Sequence, residues 1–317
     1  MKRPYFFEVF IAANFILIVA LLWRVTHNPL TTLLTMFAVL LPVFVLQLLL
    51  GVAIRFAIQR GRYTPSIRSR TWIVDSVRLV FFSVLSVHTY GWIKLAVPLL
   101  HPALYDQELW NIDAALFGGH SPNVFFVTLF GASLRFFDWT YANIFLASIW
   151  IASTYFLSDP DDRIRVRFMN SNALLWIAGS WLYMLVPSLG PAYRFPQVWL
   201  PLSSMLGNTQ NLQRILMTNY QNVLHHGPVN VFFGIGAFPS LHVAFEVLVF
   251  LWMRRLWRAG AVLFAVFSIL IFFGSVVTGW HYLIDAIAGV ALAFAAYAAV
   301  AIRRRSQTFS AANASAH

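Results

Sequence analysis

Residues 261–302 read AVLFAVFSILIFFGSVVTGWHYLIDAIAGVALAFAAYAAVAI, and this stretch holds two apolar runs with one short break between them. Each run, 261–279 and 281–302, has about the length that an α-helix needs to cross the hydrocarbon core of a bilayer. The break at Thr278-Gly279-Trp280 suits a tight turn, because glycine adopts backbone conformations that other residues avoid. The stretch therefore predicts two consecutive membrane-spanning helices joined at one face of the membrane.

The rest of the chain extends this pattern. Its 317 residues are 60% hydrophobic and 10% charged, whereas soluble domains are about 25% charged. We therefore expect an all-α fold, a polytopic membrane helix bundle of about eight transmembrane helices. The predicted spans are 5–24, 30–55, 72–99, 139–157, 172–187, 240–257, 261–279 and 281–302.

The domain organisation follows from the same runs. Residues 1–305 are predicted to form a single integral membrane domain, and the small, polar tail 306–317 is predicted to be disordered. Segment 104–133 is less regular, and its polar residues indicate an interfacial or short re-entrant helix. In the long loop 188–238, apolar residues recur at helical spacing over Asn211–Leu224, which predicts a helix lying in the interface.

The formal charge of +11 indicates membrane topology and not nucleic-acid binding, because the basic residues form short clusters between the apolar runs. With the N-terminus inside, 16 of the 22 basic residues fall on inner segments. We therefore predict cytoplasmic termini in a plasma or inner membrane, with the starts of spans 240–257 and 281–302 outside. The chain has no cysteine, which excludes disulfides and thiolate metal sites.

Two histidine motifs lie close together near the C-terminus: FPSLH (238–242) and GWHYLID (279–285). Polar side chains in a membrane-embedded helix are rare and mark functional sites. His281 and Asp285 are four residues apart, so they share one helix face and the carboxylate can orient the imidazole. Such a histidine can attack phosphorus, and His242 can protonate the leaving oxygen and then activate the acceptor.

Other residues near these motifs are candidates for supporting roles. Ser240 adds a hydroxyl at a helix N-terminus, where anions are favoured. Glu246, one turn beyond His242, either orients that histidine or forms a hydrogen bond between helices. Gly289 would let a neighbouring helix approach closely. A zinc site built from the same histidines and carboxylates is the chemical alternative, although the His-x3-Asp spacing does not single it out.

The motifs Pro-Ser-Leu-His and Gly-Trp-His-Tyr-x-x-Asp-x-x-x-Gly resemble the second and third signatures of the type 2 phosphatidic acid phosphatase superfamily. The leucine before His242 and the stretch Ser275–Gly279 are most similar to its inositol phosphorylceramide synthase-like branch. The resemblance implies a six-helix catalytic core with catalytic motifs in 183–289. It also implies His281 as nucleophile, Asp285 as its orienting partner and His242 as general acid, without a metal or other cofactor.

Two departures from the family pattern concern phosphate binding. The third signature usually carries Ser-Arg where this chain has Gly274 and Ser275. The first signature, Lys-x6-Arg-Pro, is absent. Arg194 is the natural substitute, since a planar guanidinium suits phosphate; the alternative is an arginine that faces lipid headgroups. The string Lys94-x6-His101-Pro102 mimics the first signature but lies so far upstream that we interpret it as coincidence.

These observations predict a membrane lipid phosphatase or phosphotransferase that acts on a lipid phosphate or phosphodiester at the extracytoplasmic leaflet through a phosphohistidine. Water as acceptor makes it a phosphatase, and an alcohol such as ceramide or diacylglycerol makes it a transferase. The candidate substrate-binding residues are Ser240, Arg194, Tyr193, Ser275, Thr278, Gly279 and Glu246. The alternatives are a non-catalytic lipid-binding or transport protein on the same scaffold, and a metal-dependent membrane hydrolase. The expected partners are a phospholipid or sphingolipid substrate and the bilayer, and no nucleic acid; the sequence leaves the oligomeric state open.

Overall fold

The computed structural model describes residues 3–25, 30–59, 69–225, 227 and 229–314. Within these ranges the chain is helical and contains no β-strand, which confirms the predicted all-α class. The α-helices are α1 (Phe6–Trp23), α2 (Leu30–Gln59), α3 (Arg70–Leu100), α4 (Asp106–Leu116), α5 (Pro122–Leu129), α6 (Leu134–Leu157), α7 (Asp162–Ala173), α8 (Gly179–Leu185), α9 (Pro191–Arg194), α10 (Pro196–Trp199), α11 (Gly207–Leu224), α12 (Leu241–Leu256), α13 (Arg258–Val277) and α14 (Leu283–Ala314).

Among the described residues, six helices are long and apolar enough to cross a membrane. They lie in α1, α2, α3, α6, α13 and α14 and coincide with six of the predicted spans. Range 240–257 falls on α12, which has 16 residues. Range 172–187 falls on a continuous helical segment from α7 to α8 that includes a π-helical turn, Leu174–Ala178. The chain is therefore an integral membrane protein, and its fold is a polytopic helical bundle.

Helix α12 lies at the centre of the bundle. Its side chains are buried on nearly all sides, including Val243, Leu248 and Met253, and it packs against α13, α14 and α6. A helix that is apolar all round is expected in such a central position. Gly289 of α14 lies directly against the carbonyl oxygen of Ser240, where a Cβ would collide. The close helix approach predicted at Gly289 is thereby confirmed.

The segments between the spans are also ordered as helices. The predicted interfacial segment 104–133 contains α4 and α5, and α11 includes the amphipathic stretch Asn211–Leu224. The backbone of α14 continues to Ala314, through most of the tail for which we predict disorder. Residues 315–317 lie outside the described part of the chain, and the domain boundary at 305 stays a prediction.

Candidate active site

His281 lies in the tight turn that joins α13 to α14. Gly279 has a φ of 76°, and a Cβ there would collide with the Trp199 ring and with Ala192. Glycine is therefore required by both the backbone conformation and the packing. The N–H groups of Trp280 and His281 both donate to the carbonyl of Ser275, at 3.0 and 3.1 Å. These contacts fix the direction in which His281 leaves the turn.

The imidazole of His281 is buried, with only 3% of the residue exposed. Its Nδ1 lies 2.8 Å from the carbonyl oxygen of Ala237. A carbonyl can only accept a hydrogen bond, so Nδ1 carries the proton and Nε2 keeps its lone pair. A carboxylate oxygen of Asp285 lies 3.5 Å from the same Nδ1. The structure thus pairs His281 with Asp285, as the spacing indicates, and adds a closer acceptor in Ala237.

Asp285 connects the two histidine motifs through its own hydrogen bonds. Its carboxylate accepts from the N–H of Tyr282 at 2.9 Å. Its carbonyl oxygen accepts from the N–H of Ser240, also at 2.9 Å. Since Ser240 is the N-cap of α12, Asp285 ties the start of that helix to the turn that carries His281.

His242 lies in the first turn of α12 and faces His281. The centroids of the two imidazole rings are 6.1 Å apart. The His242 ring packs edge-on against Phe145 at 4.1 Å and against Tyr141 at 5.5 Å. The aromatic contacts hold His242 in place beside His281.

His281 is electrically neutral at physiological pH. Burial lowers its pKa to about 3; the hydrogen bond to Ala237 opposes this shift and the charge of Lys94 adds to it. His281 lies in the turn between two spanning helices, outside the spans themselves. A neutral imidazole keeps the lone pair on Nε2, which nucleophilic attack requires.

A cavity of about 380 Å³ opens beside these groups. Its lining includes His242, His281, Lys94, Tyr141 and Trp280. The ammonium of Lys94 donates to the Tyr90 hydroxyl at 3.2 Å. It also lies 5.5 Å from the centre of the Tyr183 ring. The histidine end of the cavity therefore combines two imidazoles and a cation, which is a set of groups that suits a phosphate ester.

The sequence model of the PAP2 superfamily matches residues 107–299, more than half of the chain. The chain belongs to the PAP2 superfamily. The match contains both histidines and Asp285, and membership indicates an enzyme of the lipid phosphatase type. No curated protein and no solved structure matches the chain.

Lys94 requires a correction to the sequence interpretation. Its resemblance to the first PAP2 signature looked coincidental because of its distance along the chain. In the structure α3 packs against α8 and α11, and Lys94 reaches the cavity that His242 and His281 line. The residue thus lies at the site, although the PAP2 match itself begins after it, at residue 107. His101, at the arginine position of that signature, does not line this cavity; its Nδ1 lies 2.7 Å from the Met184 carbonyl.

Several predicted substrate-binding hydroxyls are engaged within their own helices. Ser240 accepts a hydrogen bond from the N–H of Val243 as the N-cap of α12. Ser275 donates to the Phe272 carbonyl, and Thr278 donates to the Gly274 carbonyl. None of the three serine and threonine side chains lines the cavity. Their predicted contacts with substrate stay predictions.

Glu246 is fully buried and does not line the cavity. The hydroxyl of Ser148 on α6 donates to its carboxylate. In the described part of the chain no hydrogen bond joins Glu246 to His242. Of the two interpretations, the geometry matches a hydrogen bond between helices.

Tyr193 and Arg194 lie in the short helix α9, which packs on the His281 turn without lining the cavity. The N–H of Ala192 donates to the Gly279 carbonyl at 3.0 Å. The hydroxyl of Tyr193 donates to the Gln213 carbonyl, and its ring lies 6.4 Å from the Trp280 ring. Arg194 is exposed, with its guanidinium 5.8 Å from the centre of the Phe195 ring. The structure places both residues beside the turn and not with the imidazoles.

Two buried acids on α4 hold the site together, and the sequence reasoning did not single them out as functional. Asp106 accepts from the N–H groups of Leu189 and Gly190 and from the Tyr282 hydroxyl. Burial raises its pKa, and these hydrogen bonds oppose the shift. The sequence does contain a signal for such residues. The chain has only 11 acidic residues, and an acid that is buried in an apolar protein needs hydrogen-bond partners.

Asp113 caps a helix that is distant in sequence. Its carboxylate accepts from the N–H of Leu283 at 2.6 Å and of Ile284 at 2.8 Å. These are N–H groups of the first turn of α14, which have no partner within the helix. Burial raises the pKa of Asp113 to about 6, against the effect of these two hydrogen bonds.

Proposed function

We propose that the protein is a membrane lipid phosphatase or phosphotransferase that works through a phosphohistidine on His281. One observation carries this proposal. The Nδ1 of His281 is engaged by the Ala237 carbonyl at 2.8 Å, which leaves Nε2 as the basic nitrogen, and the same ring lines a cavity with His242 and Lys94. A neutral, oriented imidazole beside a cation and a second imidazole is suited to double displacement at phosphorus.

The first step breaks the bond between phosphorus and the leaving alcohol. The lone pair on His281 Nε2 attacks phosphorus, the phosphorus–oxygen bond breaks, and His242 gives a proton to the leaving oxygen. The Ala237 carbonyl and the Asp285 carboxylate face Nδ1–H and stabilise the positive charge that develops on the ring. In the second step His242 takes a proton from water or an alcohol, whose oxygen attacks phosphorus and releases His281.

Lys94 is proposed to pair with the phosphate oxygens. It is the cation at the histidine end of the cavity, whereas Arg194 lies exposed outside it. The third signature has Gly274 and Ser275 in place of its usual Ser-Arg. A site with fewer cations favours a substrate with fewer phosphate charges, such as a phosphodiester. This observation favours transfer of a phospho-headgroup to ceramide or diacylglycerol, in agreement with the resemblance to the inositol phosphorylceramide synthase-like branch.

The active site is proposed to face away from the cytoplasm. His242 is in the first turn of α12, and Arg254 and Arg255 are in its last turn. Twelve residues of helix separate His242 from Arg254, or roughly 18 Å along the axis. Since arginine-rich ends face the cytoplasm, the histidines would lie near the outer face.

The absence of cysteine from the chain makes this orientation easy to test. Single-cysteine variants at His120 and Ala259, both exposed, would be treated with a membrane-impermeant maleimide. In intact cells the maleimide is expected to label His120→Cys. Ala259→Cys is expected to be labelled only after the cells are permeabilised. The reverse pattern would overturn the orientation.

Activity is tested with the purified full chain and a panel of phospholipids, scored separately for free phosphate and for new lipid products. Wild type is expected to become labelled by radioactive lipid phosphate, and His281→Ala to be inactive and unlabelled. Binding without turnover would support the non-catalytic alternative. Activity lost in chelator and restored by a divalent ion would support the metal-dependent alternative.

A further inference from the structure

The cavity that begins at the histidines continues deep into the bundle. Three helical segments, α3, α6 and α7 with its π-helical extension, each present one face to it. Along α6 the cavity is lined by residues three or four positions apart, namely Tyr141, Phe145, Ile149, Ser153 and Phe156. Along α3 they run from Leu79 to Lys94. The cavity is therefore a channel parallel to the helices.

Its length is that of a long hydrocarbon chain. Tyr141 and Phe156 are 15 residues apart on one helix, which corresponds to about 22 Å along the axis. This exceeds half of the roughly 30 Å hydrocarbon core of a bilayer. A channel of this length that starts at one membrane face would extend past the middle of the bilayer.

Its volume fits one chain. A cavity of about 150 Å³ accommodates one benzene molecule, so the volume of about 380 Å³ here has room for on the order of fifteen carbon atoms. The deep part of the wall is largely apolar and includes Leu79, Phe156, Phe168 and Met169. Such a wall matches a hydrocarbon chain and offers little to a polar ligand.

The deep end of the channel has a polar boundary at Arg165. The Arg165 guanidinium lies 3.0 Å from the Asp162 carboxylate and 2.6 Å from the Ser76 hydroxyl. It also lies 4.5 Å from the centre of the Trp72 ring. A hydrocarbon chain that reached this cluster would gain nothing by displacing these contacts.

We propose that this channel binds one hydrocarbon chain of the lipid substrate, extended from the histidines to Arg165, and that its depth limits the chain length. The idea rests on the proposed function, because the phosphate at His281 sets the starting point of the chain. Any second chain of the lipid would stay in the bilayer. The enzyme would then select its substrate by one chain as well as by its headgroup.

A tryptophan placed partway down the channel tests this inference. Ile149 lines the channel eight residues below Tyr141, or about 12 Å deep. Leu146 lies on the same helix but is 58% exposed on the bundle surface. Ile149→Trp and Leu146→Trp are therefore matched variants, one inside the channel and one outside it.

The substrates are dihexanoyl and dipalmitoyl phosphatidic acid, and the readout is the ratio of their kcat/KM values. The roughly 10 Å of channel beyond Ile149 holds about seven of those fifteen carbons, and displacing them should lower that ratio at least on the order of a hundredfold in Ile149→Trp. Leu146→Trp should keep the wild-type ratio. Equal ratios in both variants, with wild type active on both lipids, would overturn the channel assignment.

A second measurement does not depend on catalysis. His281→Ala protein is irradiated with a phosphatidic acid that carries a diazirine at the end of one chain. Adducts are expected at Phe156, Phe168 or Met169, and adducts confined to bundle-surface residues such as Leu146 would contradict the proposal. If wild type releases no phosphate from either lipid, that result counts against the phosphatase form of the proposed function, and the cross-link still decides the channel.

Discussion

The hydroxyl of Tyr282 donates a 2.9 Å hydrogen bond to the carboxylate of Asp106, 176 positions earlier in the chain. The same carboxylate accepts from the N–H groups of Leu189 and Gly190. One acid on α4 therefore holds both the loop at 188–190 and the residue next to His281. The position of His281 therefore depends on a contact between distant segments of the chain.

Asp106→Ala should lower stability and activity together. It leaves the two backbone N–H groups and the Tyr282 hydroxyl without their acceptor, at a cost of about 1–3 kcal/mol for each group that stays unsatisfied. Tyr282→Phe removes only one hydrogen bond and should cost about 1 kcal/mol. Thermal unfolding of the purified protein in detergent measures both. Glu108→Ala, at an exposed position of the same helix, is the control and should change little.

His242 is expected to matter most for substrates with a poor leaving group. His242→Ala should lower turnover of a lipid phosphate by about 10²- to 10⁴-fold, the usual contribution of a general acid. With a p-nitrophenyl ester the loss should be much smaller, because p-nitrophenolate leaves without protonation. His120→Ala, at an exposed position, should leave both rates unchanged. Equal losses on the two esters would argue against the acid role of His242.

Lys94 and Arg194 make competing predictions for phosphate binding. If Lys94 pairs with the phosphate, Lys94→Met should lower kcat/KM by on the order of a hundredfold, and Arg194→Met should have a small effect. Steady-state kinetics on the same lipid compares the two variants directly. A large loss of kcat/KM in Arg194→Met alone would assign phosphate binding to Arg194, the residue that the sequence favoured.

Whether a contact at this site can be predicted from the sequence depends on how far apart its two groups lie along the chain. His281 and Asp285 are four residues apart, so the local backbone of the turn and of the first turn of α14 brings them together. The contact of Lys94 with the histidine cavity crosses a long stretch of chain and depends on how α3 packs. The Ala237 carbonyl belongs to the backbone of a loop, and no residue pattern marks it. The hydroxyls of Ser275 and Thr278 were predicted to face substrate, but helix carbonyls are their nearest acceptors.

Asp113 predicts a pH dependence of stability that can be separated from catalysis. Its pKa in the folded protein is raised from 3.8 to about 6, with burial as the main cause. Between these values the folded state holds a proton that the unfolded state has released. The Asp113 contribution to stability should therefore fall as pH rises from about 4 to about 6 and stay constant above that. Asp113→Asn should remove this slope in thermal unfolding, and Glu108→Gln should keep it. A slope that persists in Asp113→Asn would show that another group controls it.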